Sequence, residues 1–122
     1  MTTNIYLDYA AETTPKVMFA KQFDSDRTVV IYPLVGGSPM LWASGITAEL
    51  HVRRADGTAD TIACSVGRNN GEITITADLS VSSLSVPGMA VAECSIASDQ
   101  KVLTSESFYI NVREACADGG LR

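Results

Sequence analysis

Apolar residues recur at every second position along most of this chain, and turn residues interrupt the alternation at short, fairly even intervals. Because successive side chains of a strand point to opposite faces, this period is typical of half-buried β-strands. The alternation predicts an all-β fold. Its strands are expected at residues 3–9, 16–23, 27–35, 46–54, 58–66, 72–79, 89–98 and 101–113.

Turn chemistry predicts how three pairs of strands are joined. Asp56-Gly57 and Asn69-Asn70-Gly71 supply positive φ at low cost, so each should close a hairpin. Asp99-Gln100 predicts a third turn. The apolar plug at residues 40–42 places Trp42 in the core.

The phase of the alternation predicts which side chains face the core. The inward set is Ile5, Leu7 and Tyr9; Ile46, Ala48, Leu50 and Val52; Ile62, Cys64 and Val66; Ile73, Ile75, Ala77 and Leu79; Ala90, Ala92, Cys94 and Ile96; Phe108, Ile110 and Val112. The segment 16–23 differs, since Val17, Phe19 and Phe23 share one face and Met18 and Ala20 share the other.

The serine-rich segment near residues 79–86 lacks strong helix formers and suits a single helical or 3₁₀ turn that crosses between sheets. These features together predict a two-sheet antiparallel immunoglobulin-like β-sandwich of seven to nine short strands with one short helical crossover near residues 79–86. One domain should cover residues 1–114, with residues 1–15 as an N-terminal arm or edge strand. A flexible tail is expected at residues 115–122.

Composition narrows the partners. The chain of 122 residues is 46% hydrophobic and 19% charged, as in ordinary globular domains. A net charge of −5 repels phosphate backbones, so we expect no nucleic-acid partner. The sequence has no run of about 18 apolar residues, and its beginning has no basic region followed by an apolar stretch. We therefore expect no membrane span and no signal peptide.

The residues that could carry chemistry are few. His51 is the single histidine, and its strand parity predicts an outward side chain in a charge ladder with Glu49 and Arg53. The three cysteines have no CxxC spacing, which favours reduced thiols over a disulfide framework or a zinc site. Cys64 and Cys94 should pack inward, and Cys116 should be exposed.

Acidic and glycine-rich segments have simpler structural explanations. Asp24 and Asp26, like Asp56 and Asp60, are spaced as in calcium loops, but they lack an EF-hand register and favour turns. Glu49, Glu72 and Glu93 are predicted strand exteriors rather than a glycosidase pair. Gly36-Gly37 and Gly119-Gly120 lack the spacing of a phosphate loop. We therefore predict no catalytic, cofactor-binding or metal-binding residues.

Two kinds of surface could still bind a ligand. Five aromatic residues could form a sugar platform, but they are scattered over at least four strands, which favours packing. They are Tyr6, Tyr9, Tyr32, Tyr109 and Trp42. The edge strands of a small β-domain also expose unpaired backbone groups that can recruit another strand.

Several segments, in their order along the chain, resemble the N-terminal domain of phage baseplate upper proteins, an immunoglobulin-like tail module. They are VMFAKQFDSDRTVVIYPL, GGSPMLWASGITAELHVRRADGT, GEITITADLS and VPGMAVAECSIASDQKVLTSESFYINV. Within them, Lys21, Gln22 and Asp24 form a turn, and residues 53–57 read Arg-x-x-Asp-Gly. Asp99 stands at the last hairpin before the closing strand FYINV. The resemblance covers roughly residues 16–113.

The resemblance implies a scaffold role. The chain would be a non-enzymatic structural component of a phage tail or baseplate, made in the bacterial cytoplasm and assembled into the virion. It would dock to other tail or baseplate proteins and to copies of itself. The alternative from a different class is a carbohydrate-binding or adhesion module that recognises a cell surface.

Overall fold

The computed structural model describes residues 1–99 and 101–116, and within them the fold is all-β, with no helix. The strands are β1 (Thr2–Asp8), β2 (Val17–Lys21), β3 (Arg27–Val35), β4 (Ser38–Pro39), β5 (Thr47–Arg53), β6 (Ala59–Asn69), β7 (Glu72–Leu79), β8 (Gly88–Ser98), β9 (Lys101–Thr104) and β10 (Phe108–Arg113). The all-β prediction is confirmed.

The strands form one continuous hydrogen-bonded path in the order β1-β3-β7-β6-β5-β8-β10-β2, with β4 added to β3 and β9 added to β8. Pairing is parallel between β1 and β3 and between β2 and β10, and antiparallel elsewhere. Strand β6 pairs with β5 through its first half and with β7 through its second. The result is a nearly closed, barrel-like sheet whose path ends at β1 and β2.

The predicted two-sheet antiparallel immunoglobulin-like sandwich is therefore wrong. Strand β6 runs for 11 residues without a break and pairs with β5 through one part and β7 through the other, which lets it join what would otherwise be two separate sheets. The parallel pairs also join strands that are distant in sequence, where no turn signal operates. A pattern that fixes the face of each side chain does not fix the neighbour of each strand.

The helical crossover predicted near residues 79–86 is also wrong. The chain makes only a tight turn there, in which Leu84 N–H donates to the Val81 carbonyl at 3.2 Å and Ser85 N–H donates to the Ser82 carbonyl at 3.2 Å. Pro87 disfavours helical geometry at the residue before it, which stops the turn from continuing. The turn serves the core instead, because the Leu84 side chain is fully buried.

The core confirms the predicted phase of most strands. Buried apolar side chains come from both halves of the sheet and include Ile5, Leu7, Val29, Ile31, Leu50, Val52, Ile73, Ile75, Cys94, Phe108 and Ile110. In β2 the structure buries Met18 and Ala20 and leaves Val17 and Phe19 exposed. The predicted core position of Trp42 is wrong: its side chain is 37% exposed and lies under the Arg68 guanidinium, 4.4 Å from the ring centroid.

The two predicted hairpins are confirmed. Gly57 has φ of 89°, and Asn70 and Gly71 have φ of 52° and 80°, the left-handed geometry that these residues were expected to supply. The predicted strand 101–113 is instead divided into β9 and β10. At the break, Ser105 Oγ accepts the Cys94 N–H at 3.0 Å, so a side-chain oxygen replaces a carbonyl of the ladder.

A buried carboxylate fixes the end of β1. Asp8 is 2% exposed and accepts four backbone N–H bonds of 2.7–3.1 Å. The donors are Ala10, Ala11, Gly36 and Gly37. The bond from Ala10, with the others, outweighs burial and holds the pKa of Asp8 below its usual value. The loop after β1 is thereby joined to the β3–β4 turn.

Glu106 ties the same region to the start of β10. Its carboxylate accepts the Asp8 N–H at 2.8 Å and the Thr13 N–H at 2.7 Å, and it lies 3.4 Å from Lys16 Nζ. Burial raises the pKa of Glu106, but these hydrogen bonds and the charge of Lys16 lower it by more, so the pKa lies below its usual value. Part of the predicted flexible tail, residues 117–122, lies outside the described residues.

Candidate functional site

His51 lies on the outer face of β5, as its parity predicted, between Thr61 on β6 and Glu93 on β8. Its Nε2 is 2.9 Å from Ser95 Oγ, and its Nδ1 is 3.3 Å from Thr61 Oγ1. The ring therefore contacts hydroxyl groups rather than the expected charge ladder with Glu49 and Arg53. A shallow depression of about 340 Å³ lies over this part of the sheet.

The Ser95–His51 distance is that of a nucleophile and its base, but the surroundings do not complete such a site. An acyl-transfer centre needs a third group that orients the histidine and free N–H donors for an oxyanion. Here a threonine hydroxyl contacts the second ring nitrogen. Ser95 also pairs with Glu49 on one side and Thr104 on the other, so the ladders occupy the nearby backbone donors.

The two inward cysteines are poorly placed for redox chemistry. Cys94 is fully buried and Cys64 is half-buried, each on a strand that flanks β5. Two strand spacings separate their Cα atoms by roughly 10 Å, beyond the reach of a disulfide. Burial raises the pKa of Cys94 and raises that of Cys64 to about 12, so both stay protonated at neutral pH. Cys116 is exposed as predicted.

The acidic segments act in turns and ion pairs. Asp56 accepts the Thr58 N–H at 3.0 Å within the hairpin turn, and Asp24 pairs with Arg27 at 2.8 Å. Asp26 lies 3.4 Å from the terminal amino group. Within the described ranges, no three His, Cys, Asp or Glu side chains are grouped as a metal would need. The same residues include no helix long and apolar enough to cross a membrane.

Of the five aromatic residues considered for sugar binding, the structure brings two together. Tyr6 and Tyr32 stack at a centroid distance of 4.9 Å because β1 and β3 are parallel and these residues are in register. Stacking directs the ring faces at each other, which removes area that a pyranose would cover. Tyr9 packs against the core, Tyr109 lies on the outer face of β10, and Trp42 is stacked with Arg68.

Among the residues that the structure describes, β10 is the only strand paired with β2, so the backbone of β2 forms an open edge. Tyr109 N–H donates to the Lys16 carbonyl at 2.9 Å, and Gln22 N–H donates to the Arg113 carbonyl at 2.7 Å. In a parallel ladder the bonding residues of one strand alternate, so Met18 and Ala20 bond to β10 between these two positions. The backbone groups of Val17 and Phe19 therefore point away from β10, and β1 and β2 are not paired.

Beside this edge, the outer face of the sheet carries a group of exposed and half-buried apolar side chains. Val17 is 47% exposed and Phe19 is 57% exposed. The register aligns them across β10 with β8 in two rows, Val17–Tyr109–Val91 and Phe19–Asn111–Met89. We call these five apolar residues, Val17, Phe19, Met89, Val91 and Tyr109, the outer apolar strip.

Sequence reasoning did not find this surface. Both faces of the segment 16–23 are apolar, so the period-two pattern could not show which face is buried. One signal was available in the sequence, namely that this segment has apolar residues on both faces. If only one face of the sheet is covered by the core, one of the two apolar sets must be exposed.

Comparison with known proteins identifies a shared fold. No protein-family model and no curated protein matches the sequence. Among solved structures, the chain is similar to the N-terminal domain of phage TP901-1 ORF48, with a TM-score of 0.65 and 13% sequence identity. The match covers 93% of this chain and 99% of that domain. At this identity the likeness is one of fold.

Proposed function

We propose that this domain is a non-enzymatic structural component of a phage tail or baseplate and that it acts as a protein–protein docking module. The observation that carries the proposal is the fold likeness to a phage domain over nearly the whole length of both chains. A second line of support is the sequence resemblance to baseplate upper proteins over residues 16–113. Fold alone does not imply function. The two lines agree on a phage protein, although the immunoglobulin-like fold that the resemblance implied is not the fold of this chain.

The surface chemistry supports docking over catalysis. The outer apolar strip and the open edge of β2 supply apolar burial and unpaired backbone groups, the two things that a strand-pairing interface uses. His51 lies in the depression next to Ser95, but the backbone groups beside Ser95 are held in the ladders with β5 and β9. Binding energy in such a module comes from shape and apolar contact rather than from a few reactive groups.

The location of the protein tests the proposal. Antibody against the purified domain is applied in immunogold electron microscopy to tailed particles purified from the source strain. Label at the distal end of the tail is the expected result. Detection of the protein only in the cell fraction, with none in purified particles, would contradict a virion role. A monomer that binds a defined sugar on a glycan array would favour the adhesion alternative instead.

The absence of catalysis is tested separately. Hydrolysis of p-nitrophenyl acetate is measured for the natural chain, for His51→Ala and for Ser95→Ala, with Thr61→Ala as a control that removes only a neighbouring hydroxyl. We expect all four rates to equal the background rate of a histidine-free protein. A rate that falls at least tenfold both in His51→Ala and in Ser95→Ala, but not in Thr61→Ala, would show that the Ser95–His51 pair is reactive, and it would overturn the non-enzymatic assignment.

A further inference from the structure

We propose that the open edge of β2, with the outer apolar strip beside it, binds an extended segment of a partner protein that ends in acidic residues and adds to the sheet as a further strand. The inference deepens the proposed docking function and rests on it. It names one surface of the domain, one binding mode and the charge of the partner segment.

Backbone groups set the binding mode. Val17 and Phe19 each turn one N–H and one carbonyl to the free side of β2, which gives a partner strand four hydrogen bonds. The edge ends at Lys21, whose N–H donates to the Asp24 carboxylate at 3.0 Å and whose carbonyl accepts the Asp24 N–H at 3.1 Å. The usable edge is therefore short, and a partner must gain further energy from its side chains.

The side chains next to the edge supply an apolar contact. An added strand lies about 4.8 Å from β2, so its outward side chains would pack against Val17 and Phe19. These two residues leave about half of their surface exposed in the free domain. Tyr109 and Met89 extend the same surface across the next two strands. Alternate residues of the partner segment should therefore be apolar.

Charge defines the end of the partner segment. Lys21 and Arg113 are register partners at the end of the strip. Neither side chain makes an ion pair among residues 1–99 and 101–116, and the neighbouring Asp24 carboxylate is paired with Arg27. In a chain of net charge −5, two adjacent cations without an ion pair favour carboxylates on a partner.

A second copy of this chain fits the edge less well. Antiparallel pairing of β2 with its own copy about Met18 would place Val17 opposite Phe19 of the other chain, so a copy could also use all four backbone groups. The same register puts Pro15 of the copy, which carries no charge, opposite Lys21. A separate segment with acidic residues at its end uses the same four groups and brings carboxylates to Lys21 and Arg113.

Nuclear magnetic resonance with synthetic peptides tests the proposal. The probes are short capped peptides in which alternating valines and threonines follow, or precede, a pair of glutamates, so that both strand directions are sampled. Matched peptides carry lysines in place of the glutamates. We expect the glutamate peptides in one direction to shift amide signals of Val17, Phe19 and their β10 neighbours, with weak, saturable binding. The lysine peptides should bind at least about threefold more weakly.

Two variants separate the parts of the site. Lys21→Gln with Arg113→Gln should weaken the glutamate peptide about threefold or more and should not weaken the lysine peptide, because it removes two cations that repel it. Phe19→Ser should weaken both peptides, and an unchanged signal dispersion will show that it remains folded. Equal binding of the two peptides, shifts confined to β1, or no shift at β2 would each overturn the proposal. So would concentration-dependent dimerisation of the free domain that Phe19→Ser abolishes, since a second copy would then occupy the edge.

This outcome is independent of the virion test. Failure of the peptides with gold label present on the tail would remove the β2 site and leave the docking function standing. Binding of the peptides by a protein absent from purified particles would leave the site and remove the phage role.

Discussion

Replacement of Glu106 by glutamine should lower the free energy of unfolding by several kcal/mol, although the two side chains have nearly the same shape. The two carboxylate oxygens accept the backbone N–H groups of Asp8 at 2.8 Å and of Thr13 at 2.7 Å, one on each oxygen. In glutamine one of these oxygens becomes an NH₂ group, so one N–H faces a donor in either orientation. A hydrogen bond to a charged group is worth about 1.5–3 kcal/mol, and the remaining bond loses its charge assistance. We expect a loss of about 2–4 kcal/mol.

Urea denaturation at neutral pH, followed by tryptophan fluorescence, measures this change. The matched control is Glu93→Gln, because the Glu93 carboxylate accepts a single hydrogen bond from the described residues, that of the Ser107 hydroxyl at 3.4 Å. That variant should stay within about 0.5 kcal/mol of the natural chain. A loss below about 0.5 kcal/mol in Glu106→Gln would refute the reasoning, because the carboxylate would then not hold the loop to the sheet.

The pH dependence gives an independent check of the same residue. The folded pKa of Glu106 lies below its ordinary value of 4.5, because the hydrogen bonds outweigh the effect of burial. The unfolded chain therefore takes up the proton first as the pH falls, and the stability that Glu106 contributes is present above about pH 4.5 and is lost as the pH falls through the folded pKa. The difference in stability between the natural chain and Glu106→Gln should shrink from pH 6 to pH 3. A constant difference would contradict the assignment.

Two further predictions concern the core and the thiols. Leu84→Ala should cost about 2–4 kcal/mol in urea denaturation, because the side chain is fully buried, whereas Val81→Ala in the same turn should cost under about 1 kcal/mol; equal losses would mean that the turn does not close the core. Iodoacetamide at pH 8 should label Cys116 alone within minutes by peptide mass mapping, since burial keeps Cys64 and Cys94 protonated. Rapid labelling of Cys94 in the native protein would contradict its buried position.

The sequence by itself determined the elements that depend on short-range chemistry. Asp56-Gly57 and Asn70-Gly71 adopt the left-handed turns that their small or polar side chains allow, so both hairpins were predictable. The inward phase of β5, β7, β8 and β10 was predictable for a similar reason, because a side-chain period of two is a property of the strand alone. The outward position of His51 follows from the same rule.

The tertiary structure alone decided which strands are neighbours. The parallel pairs β1–β3 and β2–β10 join segments that no turn connects, and β6 divides its length between two partners. These pairings come from packing around a shared core, which a local period does not encode. The Asp8–Glu106 bond, which spans 98 positions of the chain, is invisible to sequence pattern for the same reason.

The candidate site is one of the features that only the tertiary structure decided. Residues 17–20 are all apolar, so either face of the strand could enter the core. Within the described part of the chain, β2 ends the hydrogen-bonded path with β10 as its one neighbour. This position buries Met18 and Ala20 and leaves Val17 and Phe19 exposed beside an unpaired backbone. The local sequence makes β2 a strand. The order of the strands around the core, which the local sequence does not encode, places β2 at the edge of the sheet.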